Sequence, residues 1–121
     1  MIMAAALALA GCRENPFLAE WDTPYGIPPF GEIKVGDYIP AIEEGIRQQN
    51  EEIEAIVNCA EAPTFENTVA ALDWSGELLD KVQGVLFNLS ETDGTPELQA
   101  VVEKAIPMIS DHSSNIFLNG A

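Results

Sequence analysis

The chain has 121 residues and a formal net charge of −15, from 5 Lys+Arg against 20 Asp+Glu. That length holds one small domain at most, and the acidic balance excludes nucleic acid as a partner because phosphate binding needs clustered Lys/Arg. A hydrophobic content of 47% is too high for a disordered acidic tail.

Residues 1–10 are all apolar and stop at Gly11-Cys12. At about 1.5 Å rise per residue such a run covers only half of a ~30 Å bilayer core, so it reads as a signal peptide over 1–11 rather than a membrane span. Leu9-Ala10-Gly11-Cys12 looks like a lipoprotein cleavage site. Cys12 is then the lipidated residue, and the expected location is the bacterial cell envelope, lipid-anchored. No Lys or Arg precedes Cys12, which departs from the usual basic start of an export signal. Cys59 is left as a lone thiol, since two cysteines do not make a disulfide framework.

Residues 12–36 form a Pro-, Gly- and aromatic-rich arm, with Pro16, Pro24, Pro28 and Pro29 beside Phe17, Trp21, Tyr25 and Phe30. Repeated Pro forbids a regular helix and favours extended or turn geometry. The aromatics predict that the arm lies against the rest of the chain.

From Asp37 the periodicity is helical. Asp37 is the expected cap, and Pro40 falls in the first turn, where its missing N–H costs nothing. Ile39, Ile42, Ile46, Ile53 and Ile56 make the apolar stripe, broken at Gln49; Glu43, Glu44, Glu51, Glu52 and Glu54 make the solvated face. Pro63 ends this helix and Thr64 caps a second one. The second stripe runs Phe65, Val69, Leu72, Gly76, Leu79, Val82, Leu86 and Leu89, with Gly76 expected to allow close helix approach. After a polar turn at 90–94, Thr95-Pro96-Glu97 opens a third helix. Its stripe is Leu98, Val101, Val102, Ala105, Ile109, His112 and Ile116, and Pro107 is expected to kink it near the carbonyl of Glu103. No strand pattern competes. The predicted fold is all-α: an extended arm followed by three antiparallel helices.

No catalytic centre follows from these residues. A catalytic zinc needs about three protein ligands, whereas the chain has one histidine, His112, and no H-E-x-x-H; His112 reads as a boundary residue of the third helix. Cys59 has no cationic neighbour in sequence to activate it, and no serine sits in a G-x-S-x-G elbow. The glutamate runs match no calcium loop. Catalytic and metal residues are therefore none in this chain.

One set of segments is more specific than any of these. Asn15-Pro16-Phe17-Leu18, Thr23-Pro24-Tyr25-Gly26-Ile27-Pro28-Pro29-Phe30, Tyr38-Ile39-Pro40-Ala41 and Pro63-Thr64-Phe65-Glu66-Asn67-Thr68 occur in order. Ala71-Leu72, Ser75-Gly76, Phe87-Asn88-Leu89 and His112 continue the series. Together, from Asn15 to Asn119, they resemble the N-terminus of the thimet-oligopeptidase family of zinc metallopeptidases, in its bacterial peptidyl-dipeptidase and oligopeptidase A branches. The resemblance implies a large helical enzyme with two lobes around a channel. It also implies one zinc on an H-E-x-x-H helix with a downstream Glu ligand, and short peptides as substrates. None of those zinc and catalytic positions lies within this sequence; the matching ones belong to scaffold and channel wall. Residues 37–121 are then a truncated helical segment of such an enzyme, inactive alone. The alternative expectation is a stand-alone acidic helical lipoprotein acting as a protein-binding module.

Overall fold

The computed structural model describes residues 13–118; the leader, Cys12 and residues 119–121 lie outside them. Among the described residues the protein is all-helical, with no strand. Helix α1 spans Tyr38–Val57, a π-helical stretch spans Phe65–Ala70, α2 spans Ala71–Trp74, α3 spans Glu77–Thr92 and α4 spans Pro96–Phe117. Two of the expected starts are realised as capping predicts. Thr64 Oγ1 accepts from the Asn67 N–H at 3.1 Å while Asn67 Oδ1 accepts from the Thr64 N–H at 2.7 Å. Thr95 Oγ1 accepts from the Leu98 N–H at 3.2 Å, with Pro96 at the first helical position.

The helices run up, down and up. Tyr38 lies near Leu89 and Leu98 at one end. Gly45 meets Leu79 midway, and Gln49 reaches Ser75 and His112 toward the other end. The pairs place α1 antiparallel to α3 and parallel to α4. Ile42, Val82, Leu86 and Ala105, all with no exposed surface, form the centre, joined by Ala41, Leu79, Val85 and Leu98. At about 25 cal/mol per Å² of apolar surface removed from water, this cluster is the main stabilising term.

Four sequence expectations are corrected. Asp37 does not cap α1: its backbone is already helical and its carboxylate makes no cap bond there. Instead it takes a fork of bonds from Arg13 at 2.8 and 2.9 Å and one from the Lys34 N–H at 2.7 Å. Charge-assisted bidentate bonds outcompete a weak cap. The second helix is not continuous, because Ser75 is extended and Gly76 takes φ +78°, a left-handed conformation that ends α2 and starts α3. Gly76 is therefore a joint. The close helix approach belongs to Gly45, whose missing Cβ would sit 3.0 Å from the Leu79 backbone. Finally, His112 is buried, with 5% of its surface exposed, rather than placed at a boundary. Helix α4 runs through Pro107 without a break.

Residues 13–36 hold turns and a short 3-10 stretch at Pro24–Gly26, followed by a second at Val35–Asp37. Their inner side chains dock on the bundle. Phe17 is buried against Trp21 and Tyr38, with ring centroids 6.3 and 5.4 Å away. Lys81 of α3 donates to the carbonyls of Phe17 and Ala19 at 3.3 Å and lies 4.0 Å from the Trp21 ring centroid. Arg13 also donates to the Glu32 carbonyl. The outer side chains of this segment, Tyr25 foremost, face solvent.

Candidate functional site

Side chains with chemical potential converge at one place, the break between α2 and α3. Helix α1 contributes Gln49, α4 contributes His112, and the break contributes Ser75. His112 Nε2 lies 2.7 Å from Gln49 Oε1, Gln49 Nε2 donates to Ser75 Oγ at 3.1 Å, and Ser75 Oγ donates to the Leu72 carbonyl at 2.6 Å. The order of donors fixes the tautomer. Gln49 spends its NH2 on Ser75, so its oxygen accepts and His112 Nε2 carries the proton. Burial pushes the imidazole below its ordinary pKa, which keeps it neutral near pH 7.

This constellation contains a serine and a histidine, yet its geometry is that of a structural tie. A nucleophile needs its base within hydrogen-bond reach. Here an amide separates the two groups, and the serine proton is committed to a backbone carbonyl. What the tie does is bind three elements together through a gap that the apolar stripes leave open. No buried side-chain nitrogen or oxygen among the described residues lacks a partner.

Beside the tie lies an open groove of about 430 Å³ between the α2 limb and the end of α4, lined by Val69, Leu72, Ile116 and Phe117 with Asp73 and Asp80 among the lining residues. The expected core positions Phe65, Val69 and Leu72 are 67%, 53% and 43% exposed. The left-handed joint changes the phase of the 65–74 limb, which sets Asn67 and Ala71 beside α1, so a stripe in phase with α3 in sequence does not share its burial.

The remaining sequence candidates are dispersed. Cys59 is exposed just beyond α1, beside a shallow hollow with Glu52, Ile56 and Asn67. Glu43, Glu51, Glu52 and Glu54 are solvated. Glu44 is held down to about 2, chiefly by the Arg47 guanidinium and also by the Gln48 amide. No three His, Cys, Asp or Glu among the described residues group to hold a metal ion, so the residues present do not fit a zinc centre. No helix among them is long and apolar enough to cross a membrane. Cys12 lies outside the described residues. Sequence reasoning missed the Gln49–Ser75 partnership. Its available signal was a polar residue interrupting an apolar stripe on each of two helices, at Gln49 and at His112.

Among the described residues, fold and site thus define an all-helical bundle with a docked aromatic arm and an exposed apolar face. The chain is similar to the dipeptidyl carboxypeptidases of Salmonella typhimurium, 43% identical over 107 residues, and of Escherichia coli, 39% identical over 106 residues. Each alignment covers 88% of this chain and 16% of the relative. It is also similar to Escherichia coli oligopeptidase A, 27% identical over 100 residues, covering 83% of this chain and 14% of that protein. No protein-family profile matches. The chain belongs to the thimet-oligopeptidase-like family of peptidases. It spans about a sixth of the length of the curated relatives it matches.

Proposed function

We propose that the chain is the N-terminal scaffold segment of a zinc-dependent oligopeptidase of the peptidyl-dipeptidase type, acting on short peptides. The observation that carries this reading is the contrast in identity. It is 43% and 39% with the two dipeptidyl carboxypeptidases but 27% with oligopeptidase A, over nearly the same stretch. In this reading the zinc and the group that activates water come from the rest of the enzyme. The bundle described here supplies wall and support, and hydrolyses nothing alone. The apolar leader exports the enzyme, and Cys12 anchors it by lipid in the bacterial envelope.

The test is the DNA immediately downstream together with assays of the isolated chain. The expected results are an H-E-x-x-H reading frame in some phase, no release of dipeptides by the chain alone, and no retained zinc. Tight stoichiometric zinc binding by the isolated chain overturns the scaffold reading. For the anchor, globomycin should cause a precursor to accumulate; an unchanged band without acyl label on Cys12 overturns it.

A further inference from the structure

The groove at the α2–α3 break carries an inference about what covers it. Its apolar lining comes from Val69 and Leu72 on the limb and Ile116 and Phe117 on α4, with Leu79 of α3 also among the lining residues. Phe65 extends the limb's apolar face and is 67% exposed. A face of this kind marks a binding surface rather than a solvated one. Its charge is one-sided. Asp73 and Asp80 line it and no Lys or Arg does. Arg13 and Arg47 are engaged by carboxylates, and Lys81 by the arm. The chain as a whole carries −15. A second copy would bring the same negative charge to the same face, and an anionic lipid surface would be repelled likewise. The complementary occupant is cationic and apolar together.

Its source follows from where the groove lies. Phe117, the last residue of α4, forms part of the groove lining, and the chain spans only 16% of the dipeptidyl carboxypeptidases it matches. A helix supplied by the same polypeptide is at high effective concentration beside that exit. We propose that the groove seats a basic amphipathic helix from the remainder of the same enzyme, with its apolar ridge on Leu72 and Phe117 and its Lys or Arg side chains over Asp73 and Asp80. This rests on the reading of the chain as a peptidase segment.

Two arms test it. In the first, the 121-residue chain is titrated with a synthetic Leu/Lys amphipathic helix of about 18 residues, five turns at about 3.6 residues each, and with a Leu/Glu helix of identical apolar ridge. Fluorescence of Trp74, on the exposed limb, reports binding. The Lys helix should bind and the Glu helix should not. Leu72→Asp should weaken binding at least about 10-fold, as loss of a buried leucine contact implies. Asp73→Lys with Asp80→Lys should abolish its salt dependence. Because Leu72 is substantially exposed, Leu72→Asp should leave the far-UV spectrum of the chain unchanged; Val35→Asp, at the other end of the bundle, is the control. Equal binding of the Lys helix by wild type and Leu72→Asp overturns the groove.

In the second arm, a photo-crosslinker is placed in intact Salmonella typhimurium dipeptidyl carboxypeptidase at the residue aligned with Leu72, within the segment it shares with this chain. It should crosslink within the same polypeptide to a basic amphipathic helix outside that segment, mapped by mass spectrometry. Full peptidase activity with no crosslink from that position overturns the groove but leaves the family role standing. Lys-helix binding by the 121-residue chain, with crosslinks in the intact enzyme only to a second copy, overturns the same-enzyme source.

Discussion

Two helical glycines separate packing from backbone propensity. Gly45 in α1 and Gly84 in α3 both occupy helix interiors, where Gly→Ala ordinarily stabilises by about 0.5–1 kcal/mol through reduced chain entropy. At Gly84 an added Cβ meets nothing within 4 Å, so that gain should appear in full. At Gly45 the Cβ would lie 3.0 Å from the Cα and N of Leu79 and 3.1 Å from its Cβ. These are backbone atoms and a buried branch point, not the end of a flexible chain, so α1 and α3 must separate by some tenths of an ångström. Overpacking of that kind costs about 1–3 kcal/mol. The net expectation is Gly45→Ala destabilised by up to about 2 kcal/mol and Gly84→Ala stabilised by up to about 1. At about 4–8 °C per kcal/mol for a domain of this size, the two midpoints should shift in opposite directions and differ by up to roughly 12–24 °C. Urea and thermal unfolding followed by far-UV circular dichroism measure both. If the two variants shift together in sign and size, the close contact between α1 and α3 is wrong.

Other perturbations read other parts of the fold. Burial lowers the His112 pKa in the folded state, so the unfolded chain binds more protons as pH falls below about 6.5, and stability should be full above that value and decline beneath it. His112→Gln should flatten this part of the pH–stability curve; an unchanged slope would show that the imidazole is not desolvated. Arg13 holds the Asp37 carboxyl below its ordinary value, with further help from the Lys34 N–H. Stability from that group is therefore present above the ordinary carboxylate range and lost as pH falls through the lowered pKa. Asp37→Asn should loosen residues 13–36, seen as a red shift of Trp21 emission at neutral pH, and an unshifted spectrum would refute the tether. Leu86→Ala empties the centre of a small core and should cost about 2–5 kcal/mol, enough to remove most of a marginal domain's stability; a loss under about 1 kcal/mol would contradict its full burial. Gly76→Asn relieves the left-handed backbone better than Gly76→Ala, yet either Cβ collides with the Gln49 amide 2.6 Å away. Stability by urea titration should fall in the order Gly, Asn, Ala, and equal stability of Gly and Asn would exclude the collision.

What the sequence made legible was local. The caps at Thr64 and Thr95 join residues three apart, and the stripes of α1, α3 and α4 repeat within a few turns, so composition and spacing reach them. Asp37 was misread because its partner, Arg13, is 24 residues away. An acidic residue before a helix looks the same whether it caps or bridges. The tie joins residues 63 and 26 apart; Gln49 and His112 each read alone as an imperfection in an apolar stripe, and Ser75 gave no such signal. The zinc centre implied by the family resemblance had no local counterpart to find.

The break after Trp74 shows why periodicity alone could not place the candidate surface. Phe65, Val69, Leu72, Gly76 and Leu79 keep a 3–4 spacing without interruption, so the pattern is that of one buried helix. A left-handed Gly76 rotates everything before it, and residues in phase with the core on paper leave it in space. The same turn buries Ser75 and brings it to Gln49. A polar tie inside and an apolar face outside are thus two results of one backbone event. A continuous helix would keep Ser75 from Gln49; the Gln49 oxygen would still hold His112, but its NH2 would lose the serine, at a cost of up to about 1–3 kcal/mol for the unsatisfied donor. Keeping the joint satisfies that donor but uncovers Val69 and Leu72, which favours a chain whose stability is completed by something seated in the groove.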